Sequence, residues 1–206
     1  MLKELENEKF GRGIVAFRRS QSVPVMFQAP HSFYDLDSDE IALQFFILTR
    51  ARVCFWNTIH RRVANLTEEE DSFLNALSIA FARTTAQGRV IQIHGFSQTS
   101  QGERFGRRVD LIISQGIEEP SQGFLRFAQE VRRSCDPFET AIFPLDVNEL
   151  GGTQNRQRKV LLTEALTDFV HCEMSPRFRR ELIADRDLAD RFGRELTRLE
   201  LNPEID

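Results

Sequence analysis

The residues that carry chemistry in this chain are few: four histidines, at positions 31, 60, 94 and 171, and a small set of acids close to them. His31 lies in the stretch V-P-V-M-F-Q-A-P-H-S-F-Y-D-L-D-S-D-E, Val23 to Glu40, and is followed by Asp35, Asp37, Ser38 and Glu40. An imidazole and a carboxylate a few residues apart on one loop can reach a single cation, and neutral histidine with carboxylate is an ordinary zinc ligand set. Asp37 competes with Asp35 for the carboxylate role. Glu40 belongs to a helix start, where acids complement the amino-terminal dipole. The plain alternative for the whole stretch is a proline-bounded turn followed by an acid-capped helix.

The elements around these residues must bring them to one place. Val23 to Phe27 reads as a buried strand ended by Ala29-Pro30, because proline lacks a ladder donor and biases its predecessor to extended geometry. Gly13 to Phe17 is a second strand, forming an edge hairpin with it. A helix follows from Ser38 to about Thr49, and then the strand Val53 to Trp56, whose unbroken apolar run suits burial on both faces. Thr67 and its three glutamates start a helix whose apolar stripe runs from Phe73 through Phe81 to Ala86, with Gly88 as the stop. Arg89 to Ile93 is a strand with His94-Gly95-Phe96 at its end, and Gln98 to Arg108 is a polar surface loop. Strands over Val109 to Ser114 and Thr140 to Phe143 flank a helix over Ser121 to Ser134. A glycine-bearing loop, E-L-G-G-T-Q-N-R-Q, leads into a helix over Lys159 to Leu166. Asp168 to Met174 is the last strand, and Pro176 opens an arginine-rich helical tail with apolar positions from Phe178 to Leu199.

Strand and helix alternate, which predicts an α/β fold: a mainly parallel or mixed sheet with helices on both faces. Open sheets of this kind bind ligands at the carboxyl ends of their strands. There the pattern gathers His31 and Asp35, Asn57 and His60, His94, and Glu173. His171 lies inside the last strand two residues before Glu173, so their side chains share a face.

Composition bounds the rest. The 206 residues make one domain over 1–206, with the arginine-rich segment from about 176, and 41% hydrophobic content supplies a sizeable core. A net charge of −4 and a pI near 5.7 argue against a nucleic-acid footprint. The many arginines fit acid pairing or carboxylate binding. Cys54, Cys135 and Cys172 are widely spaced and form no C-x-x-C pair, so a cytoplasmic setting is expected, without a thiolate zinc site. The charged amino terminus and the lack of an apolar run near 18 residues give no sign of a signal peptide or membrane span. There is no G-x-S-x-G, and Cys54 and Cys172 fall within strands, where thiols are inert packing, so a serine or cysteine hydrolase is disfavoured.

The segments A-P-H-S-F-Y-D-L-D-S-D-E-I-A, R-V-I-Q-I-H-G-F, E-L-G-G-T-Q-N and F-V-H-C-E-M-S-P-R-F-R-R occur in this order. Together they resemble the zinc amidohydrolases related to N-formylglutamate amidohydrolase and the phage-type poly-γ-glutamate hydrolases, which share a carboxypeptidase-like three-layer α/β/α sandwich. The resemblance implies zinc held by His31, Asp35 and His94, and Glu173 as the catalytic glutamate. It also implies a substrate carboxylate held by arginine and asparagine, for which Asn57, Arg61, Arg62, Asn155 and Arg156 are the candidates. Metallocarboxypeptidases place a glutamate three residues after the first histidine, and polyglutamate hydrolases a little further on. Tyr34, Asp35 and Leu36 take those slots here, so Asp35 is the nearest acid, and its shorter side chain requires the loop to approach the metal more closely. The implied activity is hydrolysis of an amide in a small, carboxylate-bearing substrate. The alternative is a binding module that keeps the hydrolase fold without useful turnover. For Glu173 the competing structural reading is an ion pair with Arg177, Arg179 or Arg180.

Overall fold

The apolar run before Pro30 forms β2 (Val23–Ala29), and it lies in the interior of a seven-stranded sheet. The computed structural model describes residues 13–85, 87–97, 108–163 and 168–198. Its other strands are β1 (Ile14–Phe17), β3 (Ala51–Trp56), β4 (Arg89–Gly95), β5 (Leu111–Ser114), β6 (Thr140–Ile142) and β7 (Asp168–Met174). The described helices are α1 (Ser38–Thr49), α2 (Phe73–Thr84), α3 (Gln122–Ser134), α4 (Arg156–Thr163), α5 (Pro176–Ala184) and α6 (Arg186–Thr197). None is long and apolar enough to cross a membrane.

The strand order is β1-β3-β2-β4-β7-β5-β6. β3, β2, β4 and β7 run parallel, β1 is antiparallel to β3, and β5 is antiparallel to β7 with β6 parallel to β5. The sheet is therefore mixed, with a parallel centre that must be covered on both faces. On one face α1, α3, α5 and α6 pack over Phe27, Ile91, Ile93, Val170 and Cys172. Phe45 of α1 and Phe178 of α5 both meet Phe192 of α6, at ring separations of 5.6 and 5.3 Å. On the other face α2 covers Met26, Val53, Phe55, Val90 and Phe169 with Leu74, Leu77 and Phe81. Helices on both sides of the sheet make the three-layer α/β/α sandwich.

Local chemistry sets the element ends. Ser72, Ser121 and Ser175 each accept a hydrogen bond from the backbone N–H three residues on, which starts α2, α3 and α5. Asp185 ends α5, and its side chain then caps α6 by accepting from the N–H groups of Asp187 and Leu188. The arginine-rich tail is thus two helices.

Several expectations change. β1 and β2 form no hairpin: β3 lies between them, because the apolar β2 is drawn into the sheet interior while β1, whose Phe17 is exposed, stays on the edge. The second helix starts from Ser72, not from Thr67, whose glutamates lie in turns before it. His94 is inside β4, which runs two residues further than its apolar core. The helix placed over Lys159 to Leu166 starts earlier, at Arg156, and residues 164–166 lie outside the described residues, as do Leu199 and nearly all of the loop from Gln98 to Arg108.

Candidate metal centre

Beyond the Arg89–Asp168 pair at their amino ends the central strands are apolar on the α1 side, but on the α2 side they become polar towards their carboxyl ends. Met26, Val90 and Phe169 give way to Gln28 on β2, Gln92 and His94 on β4, and His171 and Glu173 on β7. Register sets Gln92 beside His171 and His94 beside Glu173. The His94 and His171 rings lie 4.6 Å apart.

The loop after β2 delivers the other two groups. Its backbone folds into a tight turn in which the carbonyl of His31 accepts from the N–H groups of Tyr34 (2.7 Å) and Asp35 (2.8 Å). This turn carries Asp35 back over His31. Asn57, at the end of β3, braces the loop: its backbone N–H donates to Ala29, its Oδ1 accepts from the N–H of Ser32, and its Nδ2 donates to the carbonyl of Ile59.

His31, Asp35 and His94 converge, each offering a ligand atom within 4.8 Å of the others, and all three are buried. Asp35 Oδ2 lies 3.0 Å from His94 Nδ1 and 3.6 Å from His31 Nδ1. Zinc bonds of about 2.0–2.1 Å to such ligands give a tetrahedron with edges of roughly 3.3–3.4 Å, which those two separations bracket.

The hydrogen-bond network fixes which histidine nitrogens are free. Asn155 Oδ1 accepts from the backbone N–H of Arg158, so Asn155 Nδ2 is the donor to Gln92 Oε1. Gln92 Oε1 is thereby an acceptor, and His94 Nε2, 3.2 Å from it, must carry a proton. Burial, assisted by His31, holds His94 below the usual histidine range despite the opposing pull of Asp35, so the ring is neutral with a single N–H. Its Nδ1 stands 3.0 Å from Asp35 Oδ2. His31 repeats the pattern: Asn65 Oδ1 accepts from Thr67 Oγ1 and from His31 Nε2 (2.8 Å), and the buried His31 Nδ1 has no hydrogen-bond partner. Burial alone would raise the pKa of Asp35, but its contacts with His31 and His94 outweigh that and hold it below the usual carboxylate range. Each of the three side chains offers one atom towards a common point, and two imidazoles with a carboxylate are a normal zinc ligand set. These donors fit zinc.

His171, Glu173 and His94 form a second close group, with His171 Nε2 3.9 Å from Glu173 Oε1. Burial, then the neighbouring His94, push His171 well below the normal histidine range, so it is neutral too. Glu173 retains some exposure, 9%, at the rim.

The expected carboxylate-holding residues sit differently from one another. Asn57 and Asn155 have both amide ends engaged internally, as described, and Asn155 belongs to the support of His94. Arg61 lies over the Tyr34 ring at 5.2 Å, and its charge reaches His94. Arg62 is exposed, its backbone N–H donating to His60 Nδ1, and His60 meets the edge of Tyr34 away from the cluster. Arg156 pairs with Glu70 at 2.5 Å. Sequence reading missed Gln92 and Asn65, which hydrogen-bond the far ring nitrogens of His94 and His31. Gln92 had a signal, a polar residue two before His94 on the same strand face; Asn65, in a turn, had none.

No protein-family model and no curated protein matches the sequence. Solved structures do match in shape. The chain is similar to N-formylglutamate amidohydrolase from Ralstonia eutropha JMP134, at TM-score 0.63 and 9% identity over 91% of this chain and 97% of that one. It is similar to a bacteriophage poly-γ-glutamate hydrolase, at TM-score 0.56 and 11% identity over 93% and 89% of the two chains. A third, YNDL in its zinc-free apo form, aligns at TM-score 0.52 and 14% identity over 93% and 89%. The fold is carboxypeptidase-like. In this carboxypeptidase-like chain the polar cluster occupies the carboxyl ends of the central strands, the crevice in which open α/β sheets hold ligands.

Proposed function

We propose that this protein is a zinc-dependent hydrolase that cleaves an amide bond in a small, carboxylate-bearing substrate of the N-formylglutamate or γ-glutamyl type. The observation that carries the reading is the convergence of His31 Nδ1, His94 Nδ1 and Asp35 Oδ2, with the far ring nitrogens hydrogen-bonded to Asn65 and Gln92. The likeness in fold to a hydrolase, an amidohydrolase and a protein described as zinc-free supports it. Its three free cysteines are all buried and suit a cytoplasmic setting.

In this reading His31, Asp35 and His94 hold the ion. Bound there, zinc supplies Lewis acidity towards the scissile carbonyl and lowers the pKa of water to about 7. Asp35 cancels part of the ion's charge, and its hold on His94 fixes the ring that Gln92 orients from behind. Glu173, in register with His94, takes a proton from the attacking water and passes it to the departing nitrogen.

Metal analysis of protein purified without chelator, with an assay on N-formylglutamate and γ-glutamyl amides, tests the proposal. About one zinc per chain and chelator-sensitive turnover are expected. Metal-free wild type, or turnover indifferent to chelation, would overturn it.

A further inference from the structure

We infer that His171 is a positioning residue for Glu173: its Nε2–H holds one oxygen of that carboxylate and leaves the other to the attacking water, an assignment that rests on the hydrolase reading above. Of the three clustered histidines it is the one that the metal reading leaves without a task. It lies two residues before Glu173 on β7, and alternation along the strand puts both side chains on the face that α2 covers. The residue is 4% exposed. Among the described residues its ring makes no hydrogen bond: Nδ1 is buried without a partner, and Nε2 has Glu173 Oε1 at 3.9 Å. Buried polar groups are normally hydrogen-bonded, so an imidazole built into the sheet without a partner points to a contact made in the working complex.

The surroundings keep the ring from turning away. It lies against His94, with centroids 4.6 Å apart and planes inclined by 31°. Gly152 closes over it, so near that a Cβ there would come within 2.7 Å of the His171 Cδ2. The backbone of Gly152 has φ 65°, which glycine adopts without strain. Ser114, the register partner of His171, ties this loop down by donating from Oγ to the carbonyl of Gly151. Glu173 is fixed at its base by register with His94 and Ile112, so only its side chain has to move. A shift of about 1 Å brings the pair to the length of a charge-assisted hydrogen bond, and such contacts tighten when substrate binds. The contact does not turn on the charge of the ring, because the neutral imidazole with its proton on Nε2 and the imidazolium both present an N–H there. A carboxylate with one oxygen held keeps the other aimed at the water it deprotonates.

The test compares full-length wild type with His171→Leu, which has no donor, His171→Gln, whose amide NH2 reaches the place of Nε2, Glu173→Gln, and the double variant His171→Leu, Glu173→Gln. Kinetics on N-formylglutamate and γ-glutamyl amides and zinc content are measured in each, and imidazole 15N NMR is recorded on metal-free protein. The expected result is a kcat lower by about tenfold or more in His171→Leu, with KM and zinc content unchanged and most of the loss recovered in His171→Gln. In the Glu173→Gln background, His171→Leu should cost nothing further, because the two residues act as one unit. In metal-free wild type the His171 Nε2 should resonate as a protonated nitrogen and shift in Glu173→Gln. Unchanged kcat in His171→Leu, a loss that adds in full to that of Glu173→Gln, or an Nε2 that is unprotonated or does not shift would make His171 packing beneath Gly152 and overturn the inference. If His171→Leu fails to fold, His171→Met makes the same comparison. If wild type neither holds zinc nor cleaves either amide, the hydrolase reading fails, and the Nε2 resonance of metal-free protein still decides the contact with Glu173.

Discussion

His94 and Glu173 are register partners across the parallel β4–β7 ladder, with both side chains on the face that α2 covers. The pairing puts a candidate ligand and a candidate base next to each other on rigid strands, so their separation does not depend on a loop. It also separates their roles: His94 is locked between Asp35 and Gln92, while Glu173 sits at the rim.

Glu173→Gln keeps the shape of the side chain and removes its basicity. We expect folding and zinc content to persist while turnover falls by roughly 10²–10⁴-fold, the range for loss of a general base. Circular dichroism, metal analysis and steady-state kinetics on one preparation check this. Unchanged turnover would remove Glu173 from the chemistry, and loss of zinc would make it a ligand.

The three ligands should differ from their neighbour Asp37. Asp37 sits in the left-handed region, φ 71°, at the start of α1, and its side chain makes no capping bond. Zinc should be lost from a His31→Ala, His94→Ala double variant and from Asp35→Ala, and retained in Asp37→Ala. Zinc loss only in Asp37→Ala would move the carboxylate ligand from position 35 to 37.

Gln92 should matter more to metal affinity than its distance from substrate suggests. Its amide accepts from His94 and Asn155 and donates to Gln28 and Gln157. Gln92→Leu frees the His94 tautomer and strands buried polar groups. Zinc affinity, measured by chelator competition, should fall about 10–100-fold, and stability in urea should fall by about 1–3 kcal/mol for each group left unpaired. An unaltered zinc affinity would mean that Asp35 alone orients His94.

The cysteines give a pH prediction. Burial pushes the Cys135 thiol up to about 12 and raises those of Cys54 and Cys172 as well. An acid whose folded pKa is raised contributes stability in full below its unfolded pKa, about 8.5, and loses it as pH rises towards the folded value. Stability should therefore fall between about pH 8.5 and 12, by up to about 1.4 kcal/mol per pH unit for each thiol. Denaturant midpoints across that range check the slope, with Cys135→Ala expected to flatten it by about one proton. At pH 8 a thiol-alkylating reagent should label only unfolded protein.

The sequence by itself determined the α/β class and several elements to the residue: α1 over Ser38–Thr49 and β7 over Asp168–Met174. These are legible because period and end signals are local, an apolar strand pattern stopping at Ser175-Pro176 or acids at a helix start. The neighbourhood of His31, Asp35 and His94 was legible for a related reason, since parallel strands joined by helices present their carboxyl ends on one edge. Tertiary structure alone decided the rest. β1 left β2 for β3 because strand partners are chosen by which surfaces the sheet can bury, and no local pattern records that choice. Gln92 and Asn65 look like ordinary polar residues, and Asn155 like a substrate contact, until the chain brings residues 63 apart, Gln92 and Asn155, within hydrogen-bond distance. Arg179 reads as one cation in an arginine-rich helix; only the packing of α5 over Gly95 buries it. Helix periodicity fixes which way a residue leaves the backbone, and the long, flexible arginine stem leaves the position of its charge to the surrounding fold.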